Sequence, residues 1–457
     1  MLLHTLDIKS RIVGMKRIYI ESLGCAKNQV DSEILYTYAM ENGYIKTDDP
    51  MKASVIVVNS CGFIEDAKTE SIETTFGFRQ RYPHSKIILA GCMAQRYAED
   101  MDLPEVDAIF GNHDLSKFPE ILKKVEAGMR PVETPESPCN PYDERDDRAV
   151  SLSLPGSSFL KISEGCDHRC AYCAIPLIRG PLRSRPMDRI VEEAERLIAG
   201  GTYEINIIAQ DLGNYGTDFP DHKSHFVELM DRLSSLEGNF VLRMLYIHPD
   251  TFPKGLLELC QQRPKILPYF DIPFQHANEK VLRGMGRTGN VRKYVDMVKH
   301  IREMLPGAVV RSTLMLGFPG EDDEAFEDLK TFVREAELDW MGSFLYSREE
   351  DTPAYDMRGE EEHNEAHERA RKYQDELVPI QDEISERRAH SFVGGEYTAL
   401  IEERIEGESL AFGRIYSQAP EVDGITVVQG ENLKPGDIVR VKIRKNMCFD
   451  LEGEVVR

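Results

Sequence analysis

Three cysteines, Cys166, Cys170 and Cys173, stand in the stretch ISEGCDHRCAYCAIP with the spacing CxxxCxxC. Cysteines this closely clustered offer soft, anionic thiolates to one metal centre. Four thiolates would close a tetrahedral zinc site or a ferredoxin cluster; three leave a position open. Zinc favours CxxC pairs and a fourth Cys or His. His168 is at hand, but its closeness to Cys166 and Cys170 makes a good tetrahedron awkward. A 4Fe–4S cluster on three thiolates leaves one iron without a protein ligand, free to chelate a small molecule. A second set, Cys25, Cys61 and Cys92, is dispersed, yet each ends a β-rich run: RIYIESLGC, SVIVVNSC and KIILAGC. If these runs are parallel strands of one sheet, the three thiols meet at its carboxyl edge.

The elements that must position these residues follow from pattern. Residues 16–128 alternate β-rich runs with helix-compatible stretches, which implies a parallel α/β domain. Residues 129–151 hold four prolines and many acids and read as a linker, with Cys139 as an incidental thiol. Residues 152–386 carry six strand-like runs, FLKISEGC, EINIIAQD, VLRMLYIHP, YFDIPFQH, VVRSTLMLGFPG and GSFLYSREE, separated by helical stretches. Six such units make an open, partial barrel of the TIM type, with its site at the carboxyl ends of the strands. The CxxxCxxC loop follows the first strand, where such a site belongs. A charged stretch near 359–388 reads as a solvated helical connector. Residues 389–457 break into short strands and turns that suit a small antiparallel β-barrel; Cys448 is expected on one of its strands, packing. The fold class is α/β.

With 41% apolar residues and a net charge of −23, the chain is globular and acidic. Nucleic-acid binders gain affinity by neutralising phosphates, so a basic protein partner suits this charge better than RNA. The leading residues, a loose tail over 1–14, show no apolar signal region. No window is long and apolar enough for a membrane span. A reducing cytoplasmic setting follows, in which clustered cysteines are metal ligands rather than disulfides.

With Tyr172 just before its last cysteine, the CxxxCxxC motif resembles that of the radical S-adenosylmethionine superfamily. The resemblance implies that the open iron holds the amino and carboxylate groups of S-adenosylmethionine. Electron transfer then cleaves the sulfonium to give a 5′-deoxyadenosyl radical that abstracts hydrogen. It further suggests that Gly200, Gly201 and Glu204 of GGTYEINIIAQD contact the methionine moiety, and that Gly317 and Gly320 of LGFPGE let backbone approach the adenosine. Over nearly the whole chain, the order of domains resembles the methylthiotransferases, whose last domain is a TRAM barrel. That implies a second 4Fe–4S cluster on Cys25, Cys61 and Cys92, with an open iron for sulfur. SLGCAKNQVDSE, LYIHPD, YFDIPFQHAN and YSREEDTPAY resemble the RimO branch, which modifies an aspartate β-carbon in ribosomal protein S-twelve. The alternative is the branch that modifies an adenosine next to the tRNA anticodon. Asp351 stands where the family commonly has Gly. The implied partners are S-twelve and a reductant such as flavodoxin or ferredoxin.

His248, His276 and Asp271 lie at expected strand ends and are as readily structural as substrate-facing. One or more of Arg179, Arg183 and Arg185, just past the cluster loop, is expected to face the acidic target or the carboxylate of S-adenosylmethionine.

Overall fold

The computed structural model describes residues 16–139, 145 and 147–456. The expected tail at 1–14 and positions 140–144 and 146 of the expected linker lie outside the described residues. Contacts divide the chain into two compact units. The first takes the described residues up to Leu152 together with Glu164–Asp167 and Ala174–Pro186; the second takes Ser153–Ser163, His168–Cys173 and the chain from Met187 onward. A boundary near 152 does not anticipate that the CxxxCxxC stretch is divided between them. The physical reason lies in Arg179, whose acidic partners belong to the first unit.

Among the described residues, the first unit holds a six-stranded parallel sheet: β1 (Lys16–Ser22), β2 (Tyr44–Lys46), β3 (Val55–Ser60), β4 (Lys86–Gly91), β5 (Ala108–Phe110) and β6 (Val132–Glu133). Their order is β2-β1-β3-β4-β5-β6. β1, β3 and β4 are the cysteine-terminated runs; the other three are too short to stand out by pattern. β3, VIVVNS, is buried along its whole length because helices cover both faces. Val55 and Val57 pack with α1 (Ala26–Glu41) and α4 (Phe118–Glu126). Ile56 and Val58 pack with α2 (Glu65–Arg81) and α3 (Cys92–Tyr97). The short helix α5 (Ile175–Arg179) joins this unit, its Ile178 packing with Cys92. The strand order reverses direction at β1 and β3, and at such a switch point the chain leaves a crevice beyond the strand carboxyl ends.

The second unit contains β7 (Ser157–Lys161), β8 (Glu204–Ile208), β9 (Val241–Leu245), β10 (Ile266–Asp271), β11 (Val309–Leu316) and β12 (Trp340–Leu345). They are parallel neighbours in sequence order, the six units read from the sequence. Helices α6 (Met187–Ala199), α7 (Phe226–Ser234), α8 (Leu256–Gln262), α9 (Glu279–Gly284), α10 (Val291–Met304) and α11 (Asp323–Ala336) alternate with them. Asn290 caps α10 and Asp322 caps α11 through side-chain oxygens that accept from Lys293 N and Ala325 N.

α12 (Glu360–His390) is more than the solvated connector expected. Ala366, Ala370, Tyr373, Leu377, Gln381, Ile384 and Ser385 form a buried stripe at helical spacing. Tyr373 stacks on Phe326 at 4.0 Å, and Gln381 donates to the Leu338 carbonyl. The many charges on its other face hide that stripe in the sequence.

Five strands, β13 (Glu396–Arg404), β14 (Leu410–Arg414), β15 (Thr426–Gln429), β16 (Ile438–Met447) and β17 (Asp450–Val455), form a closed barrel in the order β13-β14-β15-β17-β16. Cys448 is not on a strand: it is exposed in the turn between β16 and β17, with φ +57°.

This small barrel meets the amino-terminal region of the parallel strands. Leu242 and Met244 belong to the core shared with the helices, so Arg243 between them points to the opposite face of the sheet. There it donates to Glu204 at 2.8 Å and to the Tyr416 carbonyl at 2.8 Å. Arg414 reaches the same Glu204 at 3.0 Å and Glu402 at 2.6 Å. Tyr269 donates to Asp423 at 2.6 Å, and the chain's single Trp, Trp340, donates to the Ser417 carbonyl at 2.7 Å.

Candidate metal and cofactor sites

In the first unit the three dispersed cysteines converge. Ser60 pairs with Gly91, so Cys61 and Cys92 leave adjacent strands at one level; Cys25 lies three residues beyond Ser22, whose neighbour on β3 is Asn59. Gly24, with φ +94°, brings the Cys25 loop against Cys61. A Cβ there would sit 3.0 Å from the Cys61 Cβ and 3.2 Å from its sulfur. Asn28 ties the loops together by donating to the carbonyls of Leu23 and Ser60, both at 2.9 Å. Asn59 donates to the Asn28 carbonyl at 2.8 Å.

The thiols grade from exposed Cys25 through partly buried Cys61 to buried Cys92. Burial pushes the Cys61 thiol up to about 12, with Cys92 and Cys25 adding to the effect. Burial also raises Cys92, against the downward pull of Arg179. Without metal these groups therefore hold their protons, and a metal centre would take them as thiolates. Asn112 Nδ2 is 3.5 Å from the Cys92 sulfur and Arg179 Nη2 is 3.3 Å from it. Donors aimed at a buried sulfur suit a thiolate ligand, because a hydrogen bond to an ionised acceptor is the stronger kind. Among the described residues no three Cys, His, Asp or Glu side chains close on a single ion. A 4Fe–4S cluster makes a different demand, one thiolate on each of three separate irons.

The CxxxCxxC cysteines are all partly buried. In the first unit, Cys166 N donates to the Gly180 carbonyl at 3.2 Å. Gly165 before it has φ +75°, and a Cβ there would lie 2.0 Å from the Pro181 carbonyl oxygen. In the second unit, Cys173 N donates to the Cys170 carbonyl at 3.1 Å and Ala171 N to the Met285 carbonyl at 2.9 Å. Tyr172 and Arg287 are the electrostatic neighbours of Cys170: burial raises the Tyr172 hydroxyl against the pull of Arg287, with Cys170 adding to the rise. The Tyr172 ring lies edge-on to Phe318 at 6.4 Å. Arg287 is buried and also donates to the Pro273 and Phe274 carbonyls. Sequence reading missed it: an arginine in RGMGRTGN looks like a surface turn.

His168 is engaged away from a fourth-ligand role. Its Nε2 is 2.8 Å from Asp211 and 2.9 Å from Asn214, and its ring stacks on His248 at 4.0 Å. Burial, reinforced by Arg287, pushes His248 down to about 2, so its imidazole is neutral. Nδ1 of His248 accepts from Asp250 N, while its buried Nε2 has no hydrogen-bond partner. Gln275 Oε1 is likewise buried without a partner, on a residue with φ +69°. These two orphans follow β9 and β10, where a polar ligand would satisfy them. His276 is structural: Nε2 meets Glu321 at 3.0 Å and Nδ1 accepts from Asn278 N. Asp271 pairs with Arg311 at 3.2 Å.

Other expected residues fall elsewhere. Glu204 opens β8, paired with Ser157 at the start of β7, while the cysteine loop follows the other end. Gly200 and Gly201 precede it. All three lie at the amino-terminal end, opposite the catalytic face of such a sheet, and this corrects their expected contact with the methionine moiety. GGTYE is a helix-to-strand turn followed by an ion-pair residue. Gly317 and Gly320 do follow β11, with φ +80° and +91°. A Cβ on Gly317 would lie 2.9 Å from the Ala370 Cβ of α12, so helix packing accounts for that glycine. Gly320 has open space around its Cα. Arg179 turns to the first unit, and Arg183 donates to the carbonyls of Arg179 and Pro181. Asp351 has φ +60°, the region that glycine favours.

Three family models match: Uncharacterized protein family UPF0004 over residues 17–111, the Radical SAM superfamily over 160–333 and the TRAM domain over 393–456. Among curated proteins, "Ribosomal protein uS12 methylthiotransferase RimO" of Treponema denticola is 40% identical, covering 95% of this chain and 99% of its own. The protein of the same name from Bdellovibrio bacteriovorus is 39% identical over 98% of this chain and 99% of its own, and that from Thermotoga maritima 39% identical over 96% and 100%. Among solved structures, the radical S-adenosylmethionine methyltransferase TsrM from Kitasatospora setae, with tryptophan substrate and a SAM analogue, aligns with TM-score 0.54 at 14% identity. The alignment covers 75% of each chain, a likeness of fold.

Proposed function

The chain belongs to the RimO family of radical S-adenosylmethionine methylthiotransferases, and from that premise we propose how its residues divide the work. It is an enzyme that transfers a methylthio group to ribosomal protein S-twelve, and the target atom is the β-carbon of an aspartate. The observation that carries this reading is the second three-cysteine site. A radical enzyme that only cleaves S-adenosylmethionine needs one open cluster; one that also inserts sulfur needs a place to hold it.

Cys166, Cys170 and Cys173 would hold the 4Fe–4S cluster of the radical core, and Cys25, Cys61 and Cys92 the second. When bound, the first supplies the electron that cleaves S-adenosylmethionine and the second an iron open to sulfur. Tyr172 and Arg287 stand next to Cys170, where the buried guanidinium favours an anionic sulfur. His248 Nε2–H offers a donor and Gln275 Oε1 an acceptor at the carboxyl ends of the strands, and the open space at Gly320 leaves its backbone approachable. Because Arg243, Arg414 and Glu204 fill the amino-terminal end, substrates enter from the carboxyl end, and water is excluded from below. A reduced flavodoxin or ferredoxin supplies electrons, and the setting is the cytoplasm. Among the described residues no helix is long and apolar enough to cross a membrane.

The test is a competition under anaerobic, reducing conditions, with S-twelve and isopentenylated tRNA offered together. A mass gain equal to SCH3 replacing H is expected on an aspartate of the protein. Modification confined to the adenosine would overturn the reading.

The Gly165 contact gives a second expectation. Gly165→Ala forces a Cβ into the Pro181 carbonyl, displacing Cys166 from its place. After anaerobic reconstitution, iron should fall from about eight to about four per chain, two clusters to one. Unchanged iron would show that the loop yields without losing its cluster.

A further inference from the structure

Arg179 stands six residues beyond Cys173 in the sequence, yet it ends α5 inside the first unit with 3% of its side chain exposed. Its Nη1 donates to Glu164 Oε1 at 2.9 Å. Its Nη2 lies 3.0 Å from Asp31 Oδ2, 2.6 Å from Asn28 Oδ1 and 3.3 Å from the Cys92 sulfur. Two carboxylates therefore fix the plane of the guanidinium, and the fork so fixed presents an N–H to sulfur. A guanidinium is always protonated and has no acceptor, so in this contact the sulfur must accept. A neutral thiol is a weak acceptor; a thiolate bound to iron is a strong one. Asn112 approaches the same sulfur from the loop after β5.

We propose that Arg179 is a positioning residue that sets the reduction potential of the N-terminal cluster through its hydrogen bond to the Cys92 sulfur. This rests on the reading of Cys25, Cys61 and Cys92 as cluster ligands. A hydrogen bond to ligand sulfur draws electron density from the iron and favours the reduced, more negative cluster, which raises the potential. Asp31 and Glu164 offset the net charge of Arg179, so what acts on Cys92 is the directed N–H rather than a bare cation. Lysine, a point charge on a flexible stem, keeps the charge but not the fork.

The test uses the full chain with Cys166, Cys170 and Cys173 all replaced by Ala, so that only the N-terminal cluster titrates. Midpoint potentials are read by EPR-monitored redox titration for this parent and for its Arg179→Gln and Arg179→Lys forms. At the parent midpoint, Arg179→Gln should shift the ratio of oxidised to reduced cluster about tenfold toward oxidised, about 59 mV for a one-electron couple. Arg179→Lys should fall between the two. An unchanged midpoint in Arg179→Gln with its iron retained would overturn the inference. Should Arg179→Gln lose its iron, Arg179→Lys decides: a lowered midpoint supports the inference and an unchanged one overturns it. A parent that holds no iron would instead overturn the ligand reading, and the inference with it.

Discussion

Replacing Cys166, Cys170 and Cys173 together with Ala is expected to abolish release of 5′-deoxyadenosine from S-adenosylmethionine, while replacing Cys25, Cys61 and Cys92 leaves that release intact and abolishes methylthio transfer. The two triple variants separate the halves of the reaction because the two cysteine sets are carried by different segments of the chain. One set punctuates the loop after β7, beside Tyr172 and Arg287; the other ends β1, β3 and β4 of a separate sheet. Removing soft ligands from one should leave the donors of the other in place. The measurement is chromatography of 5′-deoxyadenosine alongside intact mass of S-twelve from the same anaerobic reaction. Parent protein should carry about eight irons per chain and each triple variant about four, two clusters against one. Methylthiolated S-twelve from the Cys25, Cys61 and Cys92 variant would sink the division of labour.

What the sequence discloses about these sites follows from where each signal lies. Cys166, Cys170 and Cys173 are legible because short spacing is itself a chemical statement. Cys25, Cys61 and Cys92 are legible because each closes a hydrophobic run, and parallel strands align their ends. Neither signal reaches Arg287, Arg179 or Asn112, whose importance lies in which sulfur they face after folding. Glu204 misled for a related reason. GGTYE has the glycines and the acid that a ligand-binding turn might use, but the sequence does not say which end of the strand it occupies, and an acid opening a strand has no chemical reach to a loop at the other end. α12 misled through its charges: a helix with one narrow buried stripe and an acidic outer face reads as solvated when its composition is averaged. The six strands of the second unit were visible as periodic runs, whereas their charged floor was not. Arg243 meets Glu204 and Arg311 meets Asp271 across neighbouring strands, but Asp423 and Arg414 join them only through the docking of the small barrel.

Glu204→Leu is expected to destabilise the second unit by about 3–5 kcal/mol, the usual cost of stripping one partner from a buried ion pair. Arg243 and Arg414 are each 3% exposed or less and both point at this one carboxylate. Without it, two guanidiniums remain buried on either side of an apolar group. Urea unfolding followed by emission of the single tryptophan is the measurement, since Trp340 bonds the small barrel at the Ser417 carbonyl. Changing Glu204, Arg243 and Arg414 together to Leu, Met and Met should recover part of the loss, because no guanidinium is then left facing an apolar group; the remaining cost is that of Glu402, which loses its partner Arg414. The pH dependence has a definite sign. Burial alone would raise the Glu204 carboxyl, but the two arginines outweigh it and hold it below its ordinary value of 4.5. A carboxyl depressed in the folded state contributes stability that is full above about pH 4.5 and is lost as pH falls through the folded value. The parent should therefore lose stability in acid more steeply than the triple apolar variant. The same protein decides where Glu204 acts. At a temperature where Glu204→Leu remains folded, its rate of S-adenosylmethionine cleavage should match the parent, because the residue lies at the amino-terminal end of β8, away from the cysteine loop. A variant that is as stable as the parent yet has lost cleavage would return Glu204 to the cofactor site.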